Sequence, residues 1–365
     1  MIVIYGASGL TGSLIATALY EQGLQFIMAG RDPQRLEAAA KGLGDPEIRS
    51  APVHDVDALV AIFEDCDVVI NCAGPFGSIG EPLVQAALQA DCHYLDTSGE
   101  QDFVRGIYER HESAARQAKR VVVNACAFEV ALGDWAANLA AASLDAELVD
   151  SISISYAVDN MQTSKGTRLS ILDALGRPGC RWDSDRGVAA APGSQRREVT
   201  YPEPFGKRIA LSFPGADVIT GRRHSPATHV QSFVSLGEDN PITRAASIVL
   251  PVISPLMNPL LGSILRSGFG AIAQSALQAT PQAPPPVHEA RFAIVAEAQA
   301  QSQTARCALS GVDLYRVTAS IACLAAERLE NEGELAGVLA PSQILDPQDA
   351  LEEIADQHSL YLELP

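Results

Sequence analysis

Ile2, Val3, Ile4 and Tyr5 open the chain as an unbroken β-branched and aromatic run, the pattern of a buried strand. Gly6, Gly9 and Gly12 follow at three-residue spacing, and Leu14, Ile15, Ala18 and Leu19 then recur at helical spacing. The alternation continues. Apolar runs predict strands at 26–29, 47–53, 67–71, 92–95 and 121–124, and amphipathic stretches predict helices at 57–64, 81–90 and 101–118. Six short strands separated by helices predict an α/β fold, a Rossmann-type doubly wound parallel sheet.

From about Val149 the pattern changes to strict alternation. Ile152, Ile154 and Tyr156 share one face of a strand at 151–157, as in a half-exposed antiparallel sheet. A turn at 164–168 carries Lys165 and Thr167 and leads to a helix ending near 175, and Gly, Pro, Arg and Ala at 176–197 suggest long loops. Further strands are expected at 198–201, 208–213, 228–236 and 289–300, and Arg222, Arg223 and His224 read better as a solvated loop than as an anion contact. A proline-rich linker lies around 282–287, and Leu314, Val317, Ile321, Leu324 and Leu329 mark the apolar face of a helix. The expected organisation is a first domain at 1–145, completed by elements at about 308–365. An inserted α+β substrate and dimerisation domain would occupy 146–307, giving a homodimer.

Residues 245–265 contain no charged residue. Their length could span a bilayer, but Pro251, Pro255 and Pro259 would break a helix repeatedly and leave backbone groups unmet in lipid. An apolar lid or dimer surface, lining a pocket for an acyl chain, is the preferred reading, and membrane contact is disfavoured. The 365 residues carry a formal net charge of −18, a field that repels nucleic acid and anionic membranes. The seven cysteines form no CxxC pair and no zinc-type cluster with histidine. With a strand starting at Ile2 there is no room for a signal peptide, so free thiols in a reducing cytoplasm are expected.

Strand, glycine turn and helix in that order are what a dinucleotide-binding turn needs. Gly6 would permit the tight turn, Gly9 would let a diphosphate approach the backbone, and Gly12 would let helix and strand pack closely. Amides of the turn and of Leu10 would face the phosphates at the positive end of the helix dipole, with Ser8 and Thr11 adding hydroxyls. At the end of the second strand, where such a fold meets the adenosine ribose, stands Arg31, with Arg35 one helical turn on. A guanidinium there favours NADP through the 2′-phosphate. Asp32 could play the acid typical of NAD sites, but Asp32-Pro33 reads as an N-cap followed by an N1 proline. Asp55 is placed either to touch the adenine amino group or to cap a helix. Cys72, Ala73, Gly74 and Pro75 end the fourth strand, and their small size would admit the nicotinamide ribose.

On these residues the chain resembles the saccharopine dehydrogenase-like oxidoreductases, and within them the trans-acting enoyl reductase branch. The likeness is carried by GASGLTG at 6–12, AGRDPQRL at 29–36, VVINCAGPFGSIGEPLVQAAL at 68–88 and HYLDTSGE at 93–100. Weaker matches are CAFEVALGDWAA at 126–137, SKGTRLS at 164–170 and GVLAPSQIL at 337–345. The resemblance implies an NAD(P)-type Rossmann domain, an inserted mixed-sheet domain and C-terminal elements returning to the first domain. It departs from the lysine-pathway members in the substrate half, where no amino-acid recognition set is found.

The carboxyl ends of the fourth and fifth strands should border the nicotinamide. Asp96, Ser98 and Glu100 lie there, and each could donate a proton or fix substrate, or could serve only as turn and cap chemistry. The expected activity is an NADPH-dependent reductase acting on the C=C bond of an apolar, enoyl or acyl-type small molecule. An imine or amino-acid dehydrogenase and a non-catalytic NADP-binding scaffold are the alternatives.

Overall fold

The computed structural model describes residues 1–144, 146–160, 179–184, 186–235, 237, 241, 243–252, 254 and 290–365. The chain divides into two compact units, one of Met1–Ala131 and Tyr315–Asp346, the other of Leu132–Leu314 and Pro347–Pro365.

The first unit is built on a parallel sheet. Its strands include β1 (Ile2–Tyr5), β2 (Phe26–Gly30), β3 (Glu47–Ser50), β4 (Val68–Asn71), β5 (His93–Asp96) and β6 (Val121–Val123). With Gly337–Leu339 they make a seven-stranded sheet, in which that last strand lies beside β6 and the order continues β5, β4, β1, β2, β3. Strand order reverses between β1 and β4, the switch point at which such sheets open a crevice. Tyr5 is the register partner of Asn71, and Asn71 of Asp96. The loops after β1, β4 and β5 therefore leave the sheet side by side.

Helices α1 (Leu10–Glu21), α2 (Pro33–Ala39), α3 (Val56–Phe63), α4 (Phe76–Gln89) and α5 (Gln101–Ala118) alternate with these strands. The apolar runs bury as expected: every residue of β1, β2, β4, β5 and β6 is buried. In α1 the face against the sheet is Gly12, Ile15, Ala16 and Leu19. Asp32 caps α2, accepting from the Arg35 amide at 3.2 Å with Pro33 at N1, as the Asp-Pro pair predicts. Helix α4 starts at Phe76, five residues earlier than its periodicity suggested, because Glu100 supplies the missing cap from another loop.

Among the described residues the second unit holds a mixed sheet of nine strands. Val149–Asp159 lies centrally, parallel to Ala227–Ser235 on one side and antiparallel to Arg291–Ala300 on the other. Ala157, Val199, Tyr201, Phe205, Phe233 and Val295 are part of one buried cluster on this sheet. Arg208 is buried beneath it, paired with Asp159 at 2.7 and 2.8 Å and stacked 4.6 Å over the Phe205 ring.

Several expectations need correction. The loops expected at 176–197 contain the paired strands Gly179–Asp183 and Arg186–Ala190 and the start of Arg196–Thr200. Arg222, Arg223 and His224 form the last turn of the helix Asp217–His224, with His224 Nε2 3.0 Å from the buried Asp134 Oδ1. The division expected at 145/146 falls at Ala131/Leu132, and of the elements expected to complete the first unit only those at 315–346 do so. Gln303–Val312 and Tyr361–Glu363 instead pair with each other in the second sheet, which accounts for the C-terminus. The turn and helix expected at 164–175, and the 245–265 segment beyond residue 254, lie outside the described residues. Among the described residues no helix is long and apolar enough to cross a membrane.

Candidate functional site

The glycine turn after β1 has no room for side chains where the sequence omits them. Gly6 sits at φ +87°, and a Cβ there would lie 2.9 Å from the Ala73 nitrogen. A Cβ on Gly12 would lie 2.5 Å from the Gly6 carbonyl oxygen and 2.8 Å from the Ala7 Cα. At Gly9 a Cβ would meet only the Gly6 oxygen, at 3.2 Å, and the residue is exposed. The turn closes through Gly9 N–H to the Gly6 carbonyl at 2.9 Å, and the Gly6 amide donates to Ala29 of β2 at 2.9 Å.

Gly9 is also the N-cap of α1, and no side chain caps this end. The amides of the first turn, from Leu10, Thr11 and Gly12, have no intrahelical acceptor, the arrangement in which a helix N-terminus can receive an anion. The Ser8 and Thr11 hydroxyls are half-buried beside them. The Cys72–Pro75 loop is the opposite wall, touching Gly6 through Ala73. Ala73 is fixed by its amide, which donates to Asn71 Oδ1 at 2.9 Å. Burial pushes the Cys72 thiol well above the ordinary range, so it is no thiolate nucleophile.

Arg31 follows β2 directly and is exposed, and no described residue forms an ion pair with it or with Arg35. Its charge acts on the Tyr5 hydroxyl, which is anchored 2.9 Å from the Ala51 carbonyl. Arg31 thus belongs beside the loops after β1, β2 and β3. Asp55 caps α3, accepting from the Ala58 amide at 3.0 Å, the second of the two roles open to it.

Asp96, Ser98 and Glu100 all hold the protein together. Asp96 is wholly buried and accepts from the Tyr94 hydroxyl at 3.1 Å, the Ser98 amide and hydroxyl at 3.1 and 2.6 Å, Asn124 Nδ2 at 2.7 Å and the Ala125 amide at 2.9 Å. Burial raises its pKa against the pull of these donors. Glu100 accepts from the amides of Phe76 and Gly77 at 2.9 and 2.7 Å, at the N-terminus of α4. The Asp96 and Glu100 carboxylates and the Ser98 hydroxyl thus each have protein partners.

Three residues that sequence reading passed over complete this edge. Asn71 and Asn124, like Asp96, follow apolar strand residues at the carboxyl edge of the sheet, and that repeated polar stop was a readable signal. Asn71 Nδ2 donates to Tyr94 Oη at 3.0 Å, which links β4 to Asp96. Glu129, in the first turn of helix α6 (Phe128–Ala142), lies against Gly99, where a Cβ would come 3.1 Å from its Oε1. Burial pushes its carboxyl up to about 7.

The chain has matches among known proteins. Residues 2–147 match the family described as the saccharopine dehydrogenase NADP binding domain. A protein of Arabidopsis thaliana named as a mitochondrial saccharopine dehydrogenase-like oxidoreductase is 30% identical over 147 residues, covering 35% of this chain and 32% of the relative. A trans-acting enoyl reductase of Mycobacterium leprae is 33% identical over 135 residues, again 35% of this chain and 32% of the relative. These matches span about a third of each relative's length. The apo structure of the L-Glu-forming saccharopine dehydrogenase of Saccharomyces cerevisiae superposes with a TM-score of 0.63 at 15% identity, covering 99% of this chain and 98% of that one. It shares the fold, and the resemblance read from the glycine, AGRD and HYLDTSGE motifs is borne out.

Proposed function

We propose, from the premise that residues 2–147 form a saccharopine dehydrogenase-type NADP binding domain, that this protein is an NADPH-dependent oxidoreductase. We further propose that it reduces the C=C bond of an apolar, enoyl or acyl-type substrate. The observation that carries the cofactor reading is the cradle itself. Gly6 and Gly12 leave no space for a Cβ, Gly9 leaves its outer side open, and the first turn of α1 has no side-chain cap. Those amides would hold the diphosphate. Arg31, unpaired and exposed at the end of β2, would bind the 2′-phosphate, and Arg35 would add positive charge one turn on.

When bound, the nicotinamide supplies the hydride. The chain's own part is to orient the dinucleotide and hold the crevice wall. Asn71 fixes Ala73 beside Gly6, and the Asp96 network locks the β5 and β6 loops in one geometry. The choice of a C=C bond is supported by the similarity to the enoyl reductase relatives. Fluorescence titration with NADPH and NADH tests the reading. NADPH binding well below about millimolar and tighter than NADH is expected, and the absence of binding by either in that range overturns it.

A further inference from the structure

We propose that Glu129 is the carboxyl group that supplies the proton accompanying hydride transfer at this site. The inference rests on the oxidoreductase reading above and deepens it. The start of α6 is tied to the carboxyl end of β5 by the Cys126 amide, which donates to the Asp96 carbonyl at 2.7 Å. Glu129 then lies over Gly99, close enough that any side chain at 99 would press on Oε1. Gly99 is held between Ser98, bound to Asp96, and Glu100, bound to the first amides of α4. The carboxyl therefore stands over the loop after β5. That loop is separated from the glycine turn after β1 by β4 alone, at about 4.8 Å per strand.

Glu129 differs from its three acidic and hydroxylic neighbours in being uncommitted. Its carboxyl takes a hydrogen bond from its own backbone amide and from no other described residue, and part of the residue remains accessible. The neighbouring elements present Asp96, enclosed by its donors, and Glu100, engaged with α4, and no charged side chain among the described residues bears on the ionisation of Glu129. Its desolvation is what keeps a proton on it near neutrality.

The step balances as follows. A hydride with its electron pair, from a reduced nicotinamide dinucleotide, forms a C–H bond at one carbon of the substrate double bond. The π pair moves to the other end, and the Glu129 O–H bond breaks to place a proton there. The O–H pair stays on the carboxylate, and water restores the proton. A Glu129 carboxylate would attract the positive charge of an oxidised nicotinamide, so its ionisation would favour the oxidised dinucleotide.

The test is calorimetric titration of the whole chain with NADP+ and with NADPH between about pH 5.5 and 8.5, in buffers of differing ionisation enthalpy. In the wild type, NADP+ affinity should rise about tenfold more than NADPH affinity as pH rises through the Glu129 pKa, with correspondingly more proton release, because the 2′-phosphate titrating at about pH 6 is common to both forms. Both Glu129→Gln and Glu129→Ala should bind the two forms without that excess rise or release, with unfolding midpoints showing that they fold. On trans-2-octenoyl-coenzyme A, Glu129→Gln should lower kcat about a hundredfold and leave KM for NADPH unchanged. An excess rise of NADP+ over NADPH retained in both variants, equal rises for the two forms in the wild type, or wild-type kcat in Glu129→Gln overturns the assignment. If neither dinucleotide binds the wild type, the cofactor reading has failed and this inference falls with it.

Discussion

Gly12→Ala sets two opposing effects against each other. Position 12 lies in the first turn of α1, and alanine there gains up to about 1 kcal/mol in helix propensity over glycine. Against this, the new Cβ would stand 2.5 Å from the Gly6 carbonyl oxygen and 2.8 Å from the Ala7 Cα. Both atoms are backbone, so no side-chain rotation relieves them, and helix and turn must separate by several tenths of an ångström. Overpacking of this kind costs about 1–3 kcal/mol. The net loss is therefore up to about 2 kcal/mol, a fall of several degrees in the unfolding midpoint. NADPH affinity should suffer more, because the amides proposed to hold the diphosphate belong to the segments forced apart. A weakening of at least about tenfold is expected, equal to about 1.4 kcal/mol. Differential scanning calorimetry and NADPH titration measure both quantities, and Gly333→Ala, with nothing within 4 Å of its Cβ, is the control. A Gly12→Ala protein with wild-type midpoint and wild-type NADPH affinity would refute the close-packing argument.

Arg31→Ala should weaken NADPH binding about tenfold or more and leave NADH nearly unchanged, since one charge-assisted contact is worth about 1.5–3 kcal/mol; equal losses for both would remove Arg31 from the 2′-phosphate. In the second unit, burial pushes Asp217 up to about 7 although Tyr156 Oη and Ser232 Oγ donate to it at 2.9 and 3.1 Å. The folded state then holds a proton that the unfolded state loses above about pH 4, so stability falls as pH rises from about 4 to about 7 and the cost is fully present above that. Asp217→Asn should remove this component, so that the variant gains on the wild type by an order of a few kcal/mol as pH rises through the window. A wild-type-minus-variant difference in unfolding free energy that does not change with pH would contradict the assignment.

Much of the first unit was legible because its determinants are local. A β-branched run followed by spaced glycines and a helical apolar stripe can form little else, and Asp32-Pro33 carries its own capping instruction. The limits of α5, 101–118, follow from an amphipathic period ending at a left-handed Lys119. The strands within 179–190 were not legible: their Gly, Ala and Arg residues give no clean alternation, and pairing with each other and, for Gly179–Asp183, with Ala227–Ser235 makes them strands.

Sequence alone determined the close-packed glycine turn and the place of Arg31 directly after β2, since both depend on residue type at short spacing. Only the tertiary structure decided which partners each acid has. Asp96 and Glu100 were the obvious candidates by position, yet their partners come from 28 and 24 residues away along the chain. Glu129 looks like an ordinary first-turn acid until α6 is laid over Gly99. Ionisation depends on the desolvation and donors that remote segments bring together, and no short stretch of sequence encodes those.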